Sequence, residues 1–366
     1  MKTNNIPLEG DFHSNLPIPP GEYLEEVIED LGMSKSELAR RLERPAPKLS
    51  AIFKGEKAIT PDTALRLQQV VGVPAHIWTG LEAEYRLALA RLDEEKQAER
   101  LKDEIHFVPR FCYSQLVKLG EVEKKTKPID KVRELLNFFG TMSLKTISTL
   151  QRFQPAYRLG AANDYSSEAL AAWIRLGERR AAHVDCKPFE KKTLKAKIEP
   201  IRNLTNYQPD EFLPELIDHL ASCGVALVVC PHFPKTKAHG ATFQLREDKV
   251  VLMMTIRYCW ADIFWFSLFH ELGHILRHSI KDVIIENNIK NTREDEADAF
   301  ARDMLVPSNA YEAFVKKTRF DLGSIVEFSR QIDVHPGIIV GRLQHERIVK
   351  RNWHNELRER YEWKDV

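Results

Sequence analysis

The stretch ADIFWFSLFHELGHILRHS, residues 261–279, decides how the second half of this chain is read. Its leading residues are apolar at helical spacing, so the segment is expected to be a helix. On a helix, His270 and His274 stand one turn apart on one face, as a zinc ion needs. Glu271 lies beside them, in position to take a proton from a water activated by a metal. Gly273 lets a neighbour approach closely. The plainer reading is two satisfied histidines on a buried helix. The pattern H-E-x-x-H would arise by chance in about four of a hundred chains of this composition, so further ligands must support it.

His278 shares the face of His270 and His274. Eight helical residues nevertheless span about 12 Å, too far for one ion with bonds near 2 Å. The next helical pattern, REDEADAFARDML at 293–305, is the better source. Glu294 and Glu296 both border its apolar stripe of Ala297, Phe300, Ala301, Met304 and Leu305. Periodicity does not choose between them, and a solvated face is the plainer reading of either. Asp298 and Arg302 have the spacing of an ordinary i, i+4 ion pair.

Upstream, GVALVVCP, HGATFQL and KVVLMMTIR are short, β-branched or alternating, and read as three strands. Downstream, GSIVEFSRQI and PGIIVGRLQHE read as helices. The closing KRNWHNELRERYEWKDV is charged and expected to be peripheral. Residues 113–222 show further helical stretches with no recognisable chemistry. The chain is therefore expected to be mainly α with a small β-sheet.

The gross numbers narrow the class. A chain of 366 residues suggests two or three domains. Net charge of +1 implies no partner by itself. The polar start, MKTNNIPLEGDF, lacks the apolar core of a signal peptide. No apolar run approaches the ~18–20 residues of a membrane helix, so no membrane partner is expected. Cys112, Cys186, Cys223, Cys230 and Cys259 form no C-x-x-C pair, which suits reduced thiols and a cytoplasmic location.

The first 80 residues read as short helices. In SKSE, Ser34 is an N-cap and Glu37 follows three residues on, a capping box. Leu38, Ala39 and Leu42 form the stripe of that helix. After the turn ERPAP comes KLSAIFKG, with Leu49, Ile52 and Phe53 apolar. Thr60 and Pro61 open a further helix, and Gly72 ends it. Residues 34–55 thus have the layout of a helix-turn-helix, whose second helix enters the major groove. Residues 33–57 hold seven Lys or Arg against three Glu, a balance of +4. Residues 19–32 hold five acids and no base. The candidate DNA contacts are Lys35, Arg44, Lys48, Ser50, Lys54 and Lys57, the basic face that phosphates call for. The second helix lacks Arg, Asn and Gln, the usual bidentate base readers.

SELARRL, KGEKAITPDTALRLQQVVG and HIWTGLEAEY, over about residues 18–92, resemble the HigA-like antitoxins of the Cro/repressor type. That resemblance implies a homodimer on operator DNA that represses its own operon and binds a cognate toxin. Pro45 and Pro47 depart from the polar and basic residues usual there.

The order of strands, HELGH, EDEADAFARDMLVP and PGIIVGRLQ over about residues 200–348 resembles the ImmA/IrrE zinc metallopeptidases. In that family the third ligand is the Glu directly before the Ala-Asn or Ala-Asp pair, which here is Glu296. The resemblance implies zinc held by His270, His274 and Glu296, with Glu271 as general base and acid. Tyr258, Arg257 and His239 are candidates to stabilise the oxyanion. The strand at 239–245 or the one at 249–257 is a candidate to pair by its edge with an extended peptide substrate.

The resulting expectation has six segments. They are an arm over 1–18, a helix-turn-helix DNA-binding domain over 19–92, and a connector over 93–112. A helical middle region follows over 113–222, then an α+β zincin-like metallopeptidase domain over 223–348 and a charged tail over 349–366. The expected function is a DNA-binding regulator and antitoxin whose zinc endopeptidase cleaves a protein substrate, a repressor or a toxin. The alternative is a non-proteolytic antitoxin and autorepressor whose second domain binds or senses. A third option is a peptidase whose helix-turn-helix recruits a protein.

Overall fold

The computed structural model describes residues 16–92, 99–162, 166–280, 283–285 and 292–363. The arm expected over 1–18 lies mostly outside them, as do residues 93–98 of the expected connector. The chain divides into two compact units, Met1–Asp103 and Glu104–Val366.

The first unit holds α1 (Pro20–Asp30), α2 (Lys35–Arg41), α3 (Ala46–Phe53), α4 (Pro61–Val71) and α5 (Ala75–Leu92). Local chemistry sets their ends. Ser34 Oγ accepts from the Glu37 amide at 3.2 Å and caps α2. The return half of the expected capping box gives way to ion pairs, since the Glu37 carboxylate takes Arg40 at 2.6 Å and Arg41 at 2.9 Å. Thr60 caps α4, and Gly72 closes it at φ 78°, a left-handed conformation that glycine adopts without strain. A Cβ on Gly21 would fall 2.4 Å from Phe53 Cα, so α1 and α3 cross in backbone contact. Leu24, Ile28, Leu38, Leu42, Leu49, Ile52 and Leu67 join Trp78 of α5 in one core.

The second unit begins with α6 (Phe107–Arg110), α7 (Tyr113–Lys118), α8 (Pro128–Phe139), α9 (Gln154–Ala162), α10 (Ser167–His183), α11 (Lys191–Asn203) and α12 (Pro209–Ala221). Strands β1 (Val225–Val229), β2 (Gly240–Arg246) and β3 (Lys249–Met254) follow, then α13 (Ala261–Arg277) and β4 (Ile284–Ile285). The unit ends with α14 (Thr292–Leu305), α15 (Ser308–Lys316), α16 (Leu322–Gln331) and α17 (Pro336–His345). No described helix is long and apolar enough to cross a membrane.

The sheet order is β1-β3-β2-β4, with β1 parallel to β3 and the other pairs antiparallel. β3 lies in the middle and is buried along its whole length, which explains its unbroken apolar run. Both sides of β3 are therefore taken, and it cannot add a peptide strand. This corrects the expectation for 249–257. Side chains on one face of the sheet meet α10, where a Cβ on Gly177 would collide with Met253. The opposite face carries α13, whose Phe264, Trp265, Leu268 and Leu272 join Val225, Leu252 and Met254 in the main core.

The C-terminal segment is not peripheral. The Tyr361 amide donates to Cys259 O at 2.7 Å, and the Ala261 amide donates to Glu359 O at 3.0 Å. Trp265 Nε1 donates to Tyr361 Oη at 2.9 Å. Arg358 holds Asp262 through two bonds of 3.0 and 2.9 Å. Charge count misleads here because guanidinium stems and a tyrosine ring bury well when their polar ends find partners.

Candidate metal centre and nucleic-acid interface

α13 points His270 and His274 at one spot because its spacing repeats after one turn. Both are buried, at 2 % and 0 % exposure. Their Nε2 atoms stand 3.0 Å apart. Glu294, from the first turn of α14, places Oε2 3.2 Å from His270 Nε2 and Oε1 3.5 Å from His274 Nε2. These three residues form the metal-capable group found among the described residues, with ligand atoms all within 4.8 Å of one another. Tetrahedral ligands bound at about 2.0–2.2 Å stand roughly 3.3–3.6 Å apart. The observed separations of 3.0, 3.2 and 3.5 Å come within about 0.3 Å of that range, so the donor set fits a single zinc after small side-chain shifts.

The third position is a correction. The fold brings Glu294 to the histidines and sends Glu296 away, to His278 Nε2 at 3.0 Å. Two residues along a helix rotate a side chain by about 200°, so the two acids cannot share a target. His278 in turn meets His274, Nδ1 to Nδ1, at 3.0 Å. Asp298 takes His270 Nδ1 at 2.8 Å. The structure thus gives Asp298 a role that the expected pairing with Arg302 had hidden. Such outer partners fix the tautomer and aim of a ligating imidazole.

Electrostatics agree with the geometry. Burial lowers the His274 pKa, and the nearby Glu294 opposes that without reversing it. Burial pushes Glu294 up, yet hydrogen bonds from His270 and His274 outweigh it and hold the carboxyl down at about 2. A neutral imidazole beside an ionised carboxylate is the form a divalent cation requires.

Glu271 is fully buried. Its Oε2 accepts from Thr242 Oγ1 at 2.5 Å. β2 runs so close that a Cβ on Gly240 would stand 2.6 Å from Glu271 Oε1. Thr242 and Gly240 carry no motif, and only the register of β2 against α13 reveals them.

A cavity of about 540 Å³ opens beside this group, with His239, Tyr258, Phe266 and Asp298 in its wall. Burial, then Arg257, brings the His239 pKa down to about 4. Tyr258 and Cys259 both have left-handed backbones, at φ 67° and 60°, between β3 and α13. Arg257 is spent elsewhere, donating to Lys237 O at 2.6 Å and lying 4.8 Å from the Tyr258 ring centre. Of the three expected oxyanion candidates, His239 and Tyr258 face the cavity.

In the first unit, α2 and α3 meet at the turn Arg44–Pro45. Lys35 pairs with Glu25 at 2.5 Å and covers the Phe53 ring. Arg44 pairs with Asp62. Among the described residues, Lys48, Lys54 and Lys57 make no ion pair, and Ser50 is exposed on α3. Arg44 depresses the Lys48 pKa, followed by burial, Lys57 and Arg66. Lys48 therefore sits among like charges, as a phosphate-binding patch would. Arg66 on α4 adds to the charge around Lys48, though it also pairs with Asp62 at 3.4 Å and Glu43 at 3.6 Å, and it was not expected from sequence because it lies outside the two-helix motif.

A family model for the IrrE N-terminal-like domain, of the M78 peptidases, matches residues 263–343. Over 79 residues the chain is 35% identical to virulence-associated protein I of Dichelobacter nodosus, covering 21% of this chain and 73% of that protein. It is 32% identical over 71 residues to the uncharacterized HTH-type transcriptional regulator YddM of Escherichia coli K12, covering 19% and 76%. Among solved structures, it is similar to a HigA-family addiction module antidote protein from Coxiella burnetii. That match has 38% identity, covers 23% of this chain and 92% of that one, and has a TM-score of 0.21. It is also similar to Pseudomonas aeruginosa antitoxin HigA solved with the higBA promoter. Here identity is 36%, coverage 23% and 94%, and the TM-score 0.22.

Proposed function

We propose, from the premise that this chain belongs to the HigA-like HTH-type regulators and carries an IrrE N-terminal-like domain, that it is a DNA-binding regulator with a zinc endopeptidase in its second unit. The observation that carries the reading is the His270–His274–Glu294 triangle with Glu271 one residue along the same helix. His270, His274 and Glu294 would hold zinc, which when bound supplies Lewis acidity toward water and a peptide carbonyl. Asp298 keeps the His270 ring aimed at that spot. Glu271 accepts the proton of the attacking water and returns it to the leaving amine. Thr242 holds that carboxylate in place. His239, neutral at pH 7, and the Tyr258 hydroxyl are the groups on the cavity wall suited to donate to the developing oxyanion.

The first unit binds operator DNA through α3 and the patch of Lys48, Lys54, Lys57 and Arg66, as a dimer. The partners are a cognate toxin and a protein substrate, and the setting is the cytoplasm. Metal content of the full chain tests the core of this reading. About one zinc per chain, absent in His270→Ala, supports it, and no zinc in either after incubation with the metal refutes it. A DNA arm runs in parallel, because affinity for the chain's own upstream DNA should fall steeply with salt.

One observation favours a second reading. Glu271 is fully buried and bound by Thr242, which shields it from bulk water. In that case the second unit binds or senses, and the protein is a non-proteolytic antitoxin and autorepressor. Glu271→Gln would then leave repression and toxin neutralisation unchanged, whereas loss of either would count against this version.

A further inference from the structure

The cavity beside the metal centre has a charge pattern that the peptidase chemistry does not use. Three acids line it, and each has a partner, two of them a guanidinium group and the third an imidazole. Asp262 is held by Arg358 at 2.9 Å, Glu346 by Arg342 at 3.0 Å, and Asp298 by His270 at 2.8 Å. Two guanidinium groups in the same wall, Arg302 and Arg351, make no ion pair among the described residues. The rest of the wall is largely apolar or aromatic, including Trp260, Phe266 and Ile338. Four guanidinium groups, Arg302, Arg342, Arg351 and Arg358, stand against three carboxylates, and a concave, low-dielectric wall concentrates the positive potential that this excess leaves.

We propose that this cavity is a specificity pocket for an acidic side chain of the bound peptide, gripped by Arg302 and Arg351. The placement of Arg302 supports it. Arg302 sits on α14 one turn beyond Asp298 and two turns beyond Glu294. Those steps are about 6 and 12 Å along the helix. An extended peptide advances about 3.4 Å per residue. The acidic residue therefore lies about two to four positions from the scissile bond. The location relative to the scissile bond rests on the peptidase reading, but the pocket itself does not.

The test measures binding of acetyl-Ala-Ala-Glu-Ala-Ala-amide, its Gln counterpart and inorganic phosphate to the full chain by calorimetry. Wild type and His270→Ala are compared, so a carboxylate captured by the metal is separated from one captured by the pocket. The Glu peptide should bind both proteins about tenfold tighter than the Gln peptide, since a charge-assisted contact is at stake. Arg302→Gln and Arg351→Gln should each erode that preference, and the double variant should abolish it. Arg302→Lys should retain part of it, which separates charge from a general loss of fold. Equal affinity for the two peptides, or a preference that survives the double variant, overturns the proposal. Phosphate binding as tightly as the Glu peptide, with the same arginine dependence, overturns it in favour of a free-anion site. If His270→Ala keeps the preference while wild type holds no zinc, the peptidase reading fails and the pocket stands.

Discussion

Replacing Glu294 or Glu296 with alanine, one at a time, separates the geometry of this site from the pattern of its sequence. Glu294 reaches His270 Nε2 through Oε2 at 3.2 Å and His274 Nε2 through Oε1 at 3.5 Å, and the two Nε2 atoms stand 3.0 Å apart. Glu296 touches only His278 among these histidines, at 3.0 Å. Outer partners such as Asp298 are worth about 10–100-fold in metal affinity. That range equals roughly 1.4–2.8 kcal/mol. A corner of the triangle binds the ion directly, so Glu294→Ala should exceed the upper end of that range. Glu296→Ala acts only through His278 and His274, two contacts removed, and should stay at or below the lower end. Asp298→Asn should fall between the two. The assay is a competition titration of the zinc-loaded chain against a fluorescent chelator. The reasoning is refuted if Glu296→Ala loses more affinity than Glu294→Ala.

Other consequences are as direct. Gly240→Ala forces a Cβ to within 2.6 Å of Glu271 Oε1 and should cut peptide cleavage by at least about tenfold while leaving zinc content intact. Zinc loss in that variant would show that the strand supports the ligands instead of the base. Arg358→Ala strips the partner from a pair whose side chains are each 9% exposed, so urea unfolding should show a loss of about 3–5 kcal/mol. A loss below about 1 kcal/mol would mean that Asp262 is rehydrated at no cost. Lys48→Ala and Lys54→Ala should each lower the slope of log affinity against log salt by about 0.9. An unchanged slope would move DNA contact elsewhere. His239 has its folded pKa pushed down to about 4, below the usual 6.5. The unfolded chain then binds more protons between those values, so stability falls as pH drops from 6.5 toward 4. His239→Gln should flatten part of that decline in unfolding midpoint, and an identical slope would show that the residue titrates normally.

Much of this was legible in the sequence, and the gaps have physical causes. Caps and glycines mark helix ends locally, so α2, α4 and their stops could be placed without tertiary information. The strands announced themselves because β3 is buried on both faces and has no polar alternation. The two histidines of the candidate metal centre were legible because their spacing is a property of one helix. The third member of the group was not. Glu294 and Glu296 flank the same apolar stripe, and only the crossing of α14 over α13 selects between them. Asp298 was misread for a related reason. Its local spacing to Arg302 suggests a pair, but its partner is His270, 28 residues earlier. The C-terminal residues looked solvated because composition counts charges and cannot see that Arg358 and Tyr361 have waiting partners on α13.

That last contact sets an order of assembly. Trp265 near the start of α13 waits for Tyr361, 96 residues later in the chain. At about 5–20 residues per second, synthesis needs roughly 5–20 s to cover that interval. During that time His270, His274 and Glu294 are already made, but the helix that carries two of them lacks its C-terminal fastening. The helix of the candidate metal centre is therefore fastened by a segment made well after it, and a nascent chain carries His270, His274 and Glu294 before it carries that fastening.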